Sequence, residues 1–238
     1  MAAPPIRGDQ QLVKAVNRMG LLRLLRAENG ISRADLAERS GLTRSTVGLL
    51  TEELIDEGWI VEADACATGA RGRRPTPLSL DGTRIVLLGA ELGPDAIRVV
   101  ATSIRGEVLA TGQATLLSRD PDSACRQLAS MAKALATKVS RRGTRVLGMG
   151  VALHGPVDKR SGVLEFAPNI GWRGVEIGRR LAADLAKVGL GDVPVYLQNE
   201  ADLAAVGECE FRDGPADDPL IPARQIRRSA SRRSPSAS

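Results

Sequence analysis

Aromatic side chains are almost missing from this sequence: 238 residues contain two Trp, two Phe and one Tyr. That scarcity excludes a stacking platform for single-stranded nucleic acid. There is one histidine, His154, so any site needing several imidazole ligands is excluded within the chain. The three cysteines, Cys66, Cys125 and Cys209, lie far apart and form no CxxC pair. Neither a disulfide framework nor a clustered thiolate metal site is indicated. No stretch approaches the ~20 continuous apolar residues of a membrane helix. The opening MAAPPIRGDQ has no apolar core of a secretory signal. These absences predict a cytoplasmic chain with no membrane partner, no metal and no cofactor.

What is present is an ordinary globular composition, 43% apolar and 26% charged. The length allows one large domain or two smaller ones. The net charge of +5 is unevenly spread. Residues 1–80 hold 11 basic and 10 acidic side chains, residues 81–211 hold 16 and 15, and residues 212–238 hold 6 and 3. The basicity comes mostly from the tail, so any argument for nucleic-acid binding must rest on local patterning.

Local signals divide the chain. Gln11–Glu28 reads as a helix, with Leu12, Val16, Met19, Leu22 and Leu25 recurring at intervals of three or four. Asn29-Gly30 ends it. Ser32 is an N-cap with Asp35 three residues on, opening a short helix to about Arg39. Ser40-Gly41-Leu42 is a turn, and Thr43 caps a longer helix to about Glu57, closed by Gly58. Trp59–Ala63 and Pro77–Leu80 read as strands around a basic loop, and Asp81-Gly82 is a plausible boundary. Beyond it, Arg84–Leu92, Ala96–Ile104 and Glu107–Leu117 read as strands joined by tight turns. A helix opens at Asp120-Pro121. Val146–Leu153 is a buried strand, Val175–Val188 a helix, Val193–Leu197 a strand and Glu200–Phe211 a helix. This order implies an α/β domain with a mixed sheet. Residues 212–238, rich in Arg, Ser and Pro, read as a disordered tail.

The strongest constellation is ISRADLAERSGLTRSTVGLLTEELIDEGWI. Leu36, Ala37, Val47, Leu50 and Leu54 form one apolar set, and Gly41 allows the turn between two helices. Arg44, Ser45 and Gly48 are left outward near the start of the second helix. This is a helix-turn-helix pattern, whose second helix presents its N-terminal residues to the major groove. Thr43, Ser45 and Thr46 carry hydroxyls for backbone or base, and Arg44 has the fork that reads a guanine edge. The strand–loop–strand that follows resembles a wing, and its Arg71, Arg73 and Arg74 suit phosphates or a narrow minor groove. The same pieces also suit a helical hairpin used only for packing beside a solvated basic loop.

The order of several segments resembles the ROK family (repressors, open reading frames and kinases), in particular its xylose-repressor-like regulators. The matching pieces are RSTVGLLTEELIDEGWIVE, ARGRRPTPLSL, GAELGPDAIRVVATSIRGEVL, GMGVALHGPVD, APNIGWRG and VYLQNEADLAAVGE. The resemblance implies an α+β winged helix-turn-helix over residues 1–80. An α/β ribonuclease-H-like domain of the actin/hexokinase sugar-kinase type would follow over 81–211, as its first lobe only. It also implies a repressor of carbohydrate-related genes that binds double-stranded DNA as a homodimer and senses a sugar effector. The matching sugar-binding positions are Asn169, Asn199 and Glu200. On local grounds these three read as a loop residue, a strand end and a helix cap. His154 and Asp158 read as structural and turn residues, and Trp172 as packing under a loop.

Departures from the family pattern argue against catalysis. The phosphate hairpin, Asp-x-Gly-Gly-Thr in the family, is here Glu91-Leu92-Gly93-Pro94-Asp95. Pro94 removes a backbone donor, and Asp95 puts an anion near any phosphate. The kinases' Asn-Asp is Asn199-Glu200, with the carboxylate displaced by about a bond length. No catalytic residue is therefore expected. A sugar kinase and a non-catalytic interaction module are the alternatives. Family members continue past the helix containing Glu208 with a second phosphate hairpin and a His/Cys zinc motif. Residues after about Phe211 are expected to lie outside the family, as after a truncation or frame shift, leaving poor sugar affinity.

Overall fold

A computed structural model describes residues 10–62 and 76–211. The chain divides into two compact units. One comprises residues 1–87 with 102–108 and 140–145, and the other 88–101, 109–139 and 146–238. The division is thus not a single cut after residue 80. Residues 102–108 join the first unit because Ile104 packs against its apolar cluster and Arg105 Nε donates to the Leu80 carbonyl at 2.8 Å.

In the first unit, α1 (Gln10–Ala27) is followed by β1 (Ile31–Ser32), α2 (Arg33–Ser40), α3 (Arg44–Asp56), β2 (Ile60–Glu62) and β3 (Pro77–Leu80). The strands form an antiparallel sheet in the order β1-β3-β2, with Ile60 opposite Leu80 and Ile31 opposite Leu78. The two-residue β1 escapes sequence reading because it is too short to show a period. Both caps act as their residue types dictate. The Ser32 hydroxyl accepts from Asp35 N–H, and the Thr43 hydroxyl accepts from Thr46 N–H, each at 3.2 Å. Gly41, at φ 70°, takes the left-handed turn that a Cβ would disfavour. Leu36, Val47, Leu50, Leu54, Ile60 and Leu78 are buried together.

α1 uses a different face from the one its apolar spacing suggests. At about 100° per residue, Lys14, Arg18, Leu21 and Leu25 share one side, and Leu12, Val16 and Met19 lie opposite. The first side turns inward: Leu21 and Leu25 are buried, while Lys14 Nζ lies 2.7 Å from Glu53 on α3 and Arg18 reaches Glu53 and Glu57, the residue just past α3. Leu12, Val16 and Met19 are more than half exposed. Two buried leucines, each worth about 1.5–3 kcal/mol, together with three ion pairs, outweigh a longer apolar stripe that no described element covers.

The second unit holds most of a five-stranded sheet. Its strands are β4 (Ile85–Leu92), β5 (Ala96–Ser103), β6 (Val108–Thr115), β7 (Arg145–Leu153) and β11 (Val195–Asn199), in the order β11-β7-β4-β5-β6. β11 and β7 run parallel. The β4–β5 hairpin closes with Gly93 N–H donating to the Ala96 carbonyl at 3.0 Å. α4 (Pro121–Val139) packs on α5 (Ile177–Lys187), burying Ala124, Leu128, Ala132, Leu181 and Leu185. Ile97, Val99, Met149, Val151 and Leu153 are among the buried residues of the strands. α6 (Glu200–Phe211) follows β11 directly.

Between β7 and α5 lies a small antiparallel sheet that sequence reading misses. It comprises β8 (Val157–Asp158), β9 (Val163–Ala167) and β10 (Trp172–Val175), in the order β10-β9-β8. Val175, expected to begin a helix, instead ends β10 and pairs with Leu164. β10 contains Gly174 and is preceded by Gly171, both at positive φ, which hides any alternation of apolar and polar residues.

Candidate functional site

The N-terminus of α3 is the first candidate surface. Thr43 spends its hydroxyl on the cap and also lies 3.0 Å from Ser45 Oγ and 2.8 Å from Thr46 Oγ1. The three hydroxyls therefore hold one another, and Thr43 contributes to a ligand surface mainly by fixing the helix start. Arg44 and Ser45 are exposed, and Arg44 pairs with no described residue. Gly48 is half-buried, with nothing within 4 Å of an added Cβ, and Leu49 beside it is 58% exposed. Val47, Leu50 and Leu54 point inward, so one helix supplies both the core and the outward polar start. The wing arginines Arg71, Arg73 and Arg74 lie outside the described residues.

The second candidate site lies at three neighbouring strand ends. Glu91 is the penultimate residue of β4, His154 follows β7, and Glu200 follows β11. His154 Nε2 lies 3.2 Å from Glu91 Oε1, and His154 Nδ1 lies 2.7 Å from Glu200 Oε2. Arg98 on β5 donates to Glu91 Oε2 at 2.8 Å. Burial raises the Glu91 carboxyl, but hydrogen bonds from Arg98 and His154 outweigh it and hold the group below the ordinary carboxylate value. Glu91 and Arg98 also line a cavity of about 630 Å³ with Gly89, Val100, Thr111 and Leu203.

The residues expected to bind sugar are distributed around this histidine. Asn199 caps α6, its Oδ1 accepting from Ala201 N–H at 2.9 Å and from Asp202 N–H at 3.4 Å. Its Nδ2 donates to the Gly155 carbonyl at 3.0 Å. Glu200 is the partner of His154. Asn169 is exposed and lines a small cavity with Leu92, Pro94, His154 and Trp172. Trp172 is buried and donates its indole N–H to the Arg119 carbonyl at 2.6 Å, which is packing under a loop. Asp158 accepts from Arg160 N–H at 2.9 Å and from the Ser161 hydroxyl at 2.6 Å, a turn role that holds its carboxyl below the usual range. Sequence reasoning gave His154 no partner. The only available signal was a lone imidazole in a glycine-rich strand-to-turn segment, and its carboxylates are remote in sequence.

A helix-turn-helix followed by a mixed sheet backed by paired helices defines the class: a helix-turn-helix protein with an α/β second domain. The chain belongs to the ROK family. Residues 87–217 match the ROK family model, running past Phe211, and residues 16–61 match the model described as winged helix-turn-helix DNA-binding. The chain is 29% identical over 205 residues to the xylose repressor of Caldicellulosiruptor bescii, covering 86% of this chain and 50% of that one. It is 29% identical over 213 residues to the xylose repressor of Bacillus subtilis, covering 90% and 53%. The crystal structure of a ROK family transcriptional regulator, a homologue of the E. coli MLC protein, superposes with a TM-score of 0.67. Its sequence identity is 23%, and the match covers 84% of this chain and 49% of that one, a likeness of fold. The chain spans about half the length of the curated relatives it matches. No helix among the described residues is long and apolar enough to cross a membrane.

Proposed function

We propose that this chain is a DNA-binding transcriptional repressor of carbohydrate-related genes, with α3 as the helix that enters the major groove. One observation carries the reading: Arg44 and Ser45 stand exposed at a capped helix start while Val47, Leu50 and Leu54 anchor the same helix in a core. A helix start so held offers free N–H groups and a positive dipole end to phosphate. Arg44 reads a base edge, and Arg71, Arg73 and Arg74 neutralise phosphates from the wing. Ser45 and Thr46 add hydroxyl contacts, and Gly48 leaves room for close approach. On a two-fold operator the protein acts as a homodimer with half-sites about 34–36 Å apart. The xylose-repressor relatives support the assignment to carbohydrate genes.

In this reading the second domain senses a sugar or sugar derivative and does not phosphorylate it. Asn169, Asn199 and Glu200 contact the ligand. Asn199 retains one N–H for a hydroxyl, and Glu200 retains Oε1. Pro94 lacks the N–H that a phosphate hairpin would offer, and the exposed Asp95 adds negative charge there. The test is a gel shift with DNA from upstream of the gene at two salt concentrations. Retardation that weakens steeply with salt is expected, because counterion release drives binding. No retardation even in dilute buffer overturns the reading, and ATP-dependent phosphorylation of a hexose would overturn the non-catalytic assignment.

A further inference from the structure

We propose that Glu91, His154 and Glu200 form a binding site for one divalent transition-metal ion of the zinc and cobalt type. The inference goes beyond the DNA-binding and sugar-sensing readings and depends on neither. A single histidine excludes sites built on several imidazoles, but it leaves open a site with one imidazole and two carboxylates. The order β11-β7-β4 brings three strand ends together, and each end delivers one ligating residue. One atom from each side chain, an imidazole nitrogen and two carboxylate oxygens, lies within 4.8 Å of the other two.

Ligand atoms about 2.0–2.2 Å from a tetrahedral zinc stand about 3.4 Å from one another. The two histidine–carboxylate separations, 3.2 Å from Nε2 to Glu91 and 2.7 Å from Nδ1 to Glu200, start from opposite ring nitrogens, so an ion takes one of these nitrogens and the carboxylate beside the other turns to reach it. Glu200 is the carboxylate free to turn, because its side chain is 39% exposed and has room to move. Gly93 borders the site. A Cβ built there would lie 3.5 Å from His154 Nε2 and 3.8 Å from a Glu91 oxygen, so the missing side chain leaves space beside both.

Charge points the same way. Each ring nitrogen of His154 faces one carboxylate, and a ring nitrogen without its proton offers a lone pair to an ion. Two carboxylates share this imidazole and the one guanidinium of Arg98. A divalent cation supplies the missing positive charge and uses the lone pair. Arg98, bound to the outer oxygen of Glu91, acts as the outer-shell partner that orients a ligating carboxylate. Three protein ligands leave a fourth position open to water or to a small-molecule hydroxyl.

The test is calorimetric titration of the full chain with zinc chloride and with cobalt chloride, with no sugar or DNA present. One equivalent is expected to bind. Binding is expected to weaken in His154→Ala and in Glu200→Gln by more than the roughly 10–100-fold typical of losing an outer-shell partner. Glu200→Gln keeps the side-chain shape, so it serves if the alanine variant fails to fold. Zinc is also expected to raise the melting temperature of the parent protein but not of the variants, because an ion bound only to the folded state stabilises it by mass action. The cobalt complex is expected to absorb in the visible without a strong thiolate charge-transfer band. Absence of stoichiometric uptake, uptake unchanged in both variants, or a thiolate band placing the ion at a cysteine would each overturn the proposal.

Discussion

Arg18 on α1 grips Glu57 just past the end of α3, its Nη1 donating to Glu57 Oε1 at 2.8 Å. The same arginine reaches Glu53, and Lys14 joins it there. The far end of the candidate reading helix is therefore held by charge, and its near end by the Thr43 cap.

This pair makes the first domain sensitive to acid. The hydrogen bond from Arg18 holds the Glu57 carboxyl below its ordinary value. A carboxyl depressed by folding stabilises fully above the unfolded value, about pH 4.3, and loses that contribution as pH falls through the lower folded value. Glu57 is 44% exposed, so solvent screens the pair and its worth is below about 1 kcal/mol. Arg18→Ala should lower the melting temperature slightly at neutral pH, and the difference from the parent should shrink on acidification. Thermal unfolding across a pH series checks the sign. A gap that widens in acid contradicts it.

Thr43→Ala removes the acceptor for Thr46 N–H and should cost about 1 kcal/mol, within the 0.5–2 range for cap loss. Thr43→Ser should restore most of it. Urea unfolding of the three proteins gives the comparison.

Arg44→Ala should narrow the preference between cognate and altered operators by about 1–3 kcal/mol. Arg73→Ala should weaken all sequences alike and reduce the salt slope by about one. Fluorescence anisotropy with matched duplexes separates these outcomes.

Leu54 is fully buried, and Leu54→Ala should cost about 2–5 kcal/mol. Val16 is 61% exposed, and Val16→Ser should change stability by no more than about 0.5 kcal/mol. Equal losses in chemical denaturation would mean that α1 is packed on its other face.

Cys125 on α4 is buried, and desolvation pushes its thiol up to about 12. Alkylation of native protein at mildly alkaline pH should leave the Cys125 peptide unmodified, while denatured protein reacts. Peptide mass spectrometry reads this directly.

The sequence by itself determined what short-range physics controls. Hydroxyl caps at Ser32 and Thr43, the left-handed turn at Gly41, and the start of α6 at the Asn199 cap all depend on residues within one helical turn of one another. The family resemblance was legible for a related reason, since its motifs are contiguous strings. Only tertiary structure decided which face of α1 is buried, because two leucines and two basic residues on one side compete with three apolar residues on the other, and their neighbours settle the outcome. The same holds at His154, whose partner Glu91 lies 63 positions away. No local signal links them, because they meet only where the sheet sets its strand ends side by side.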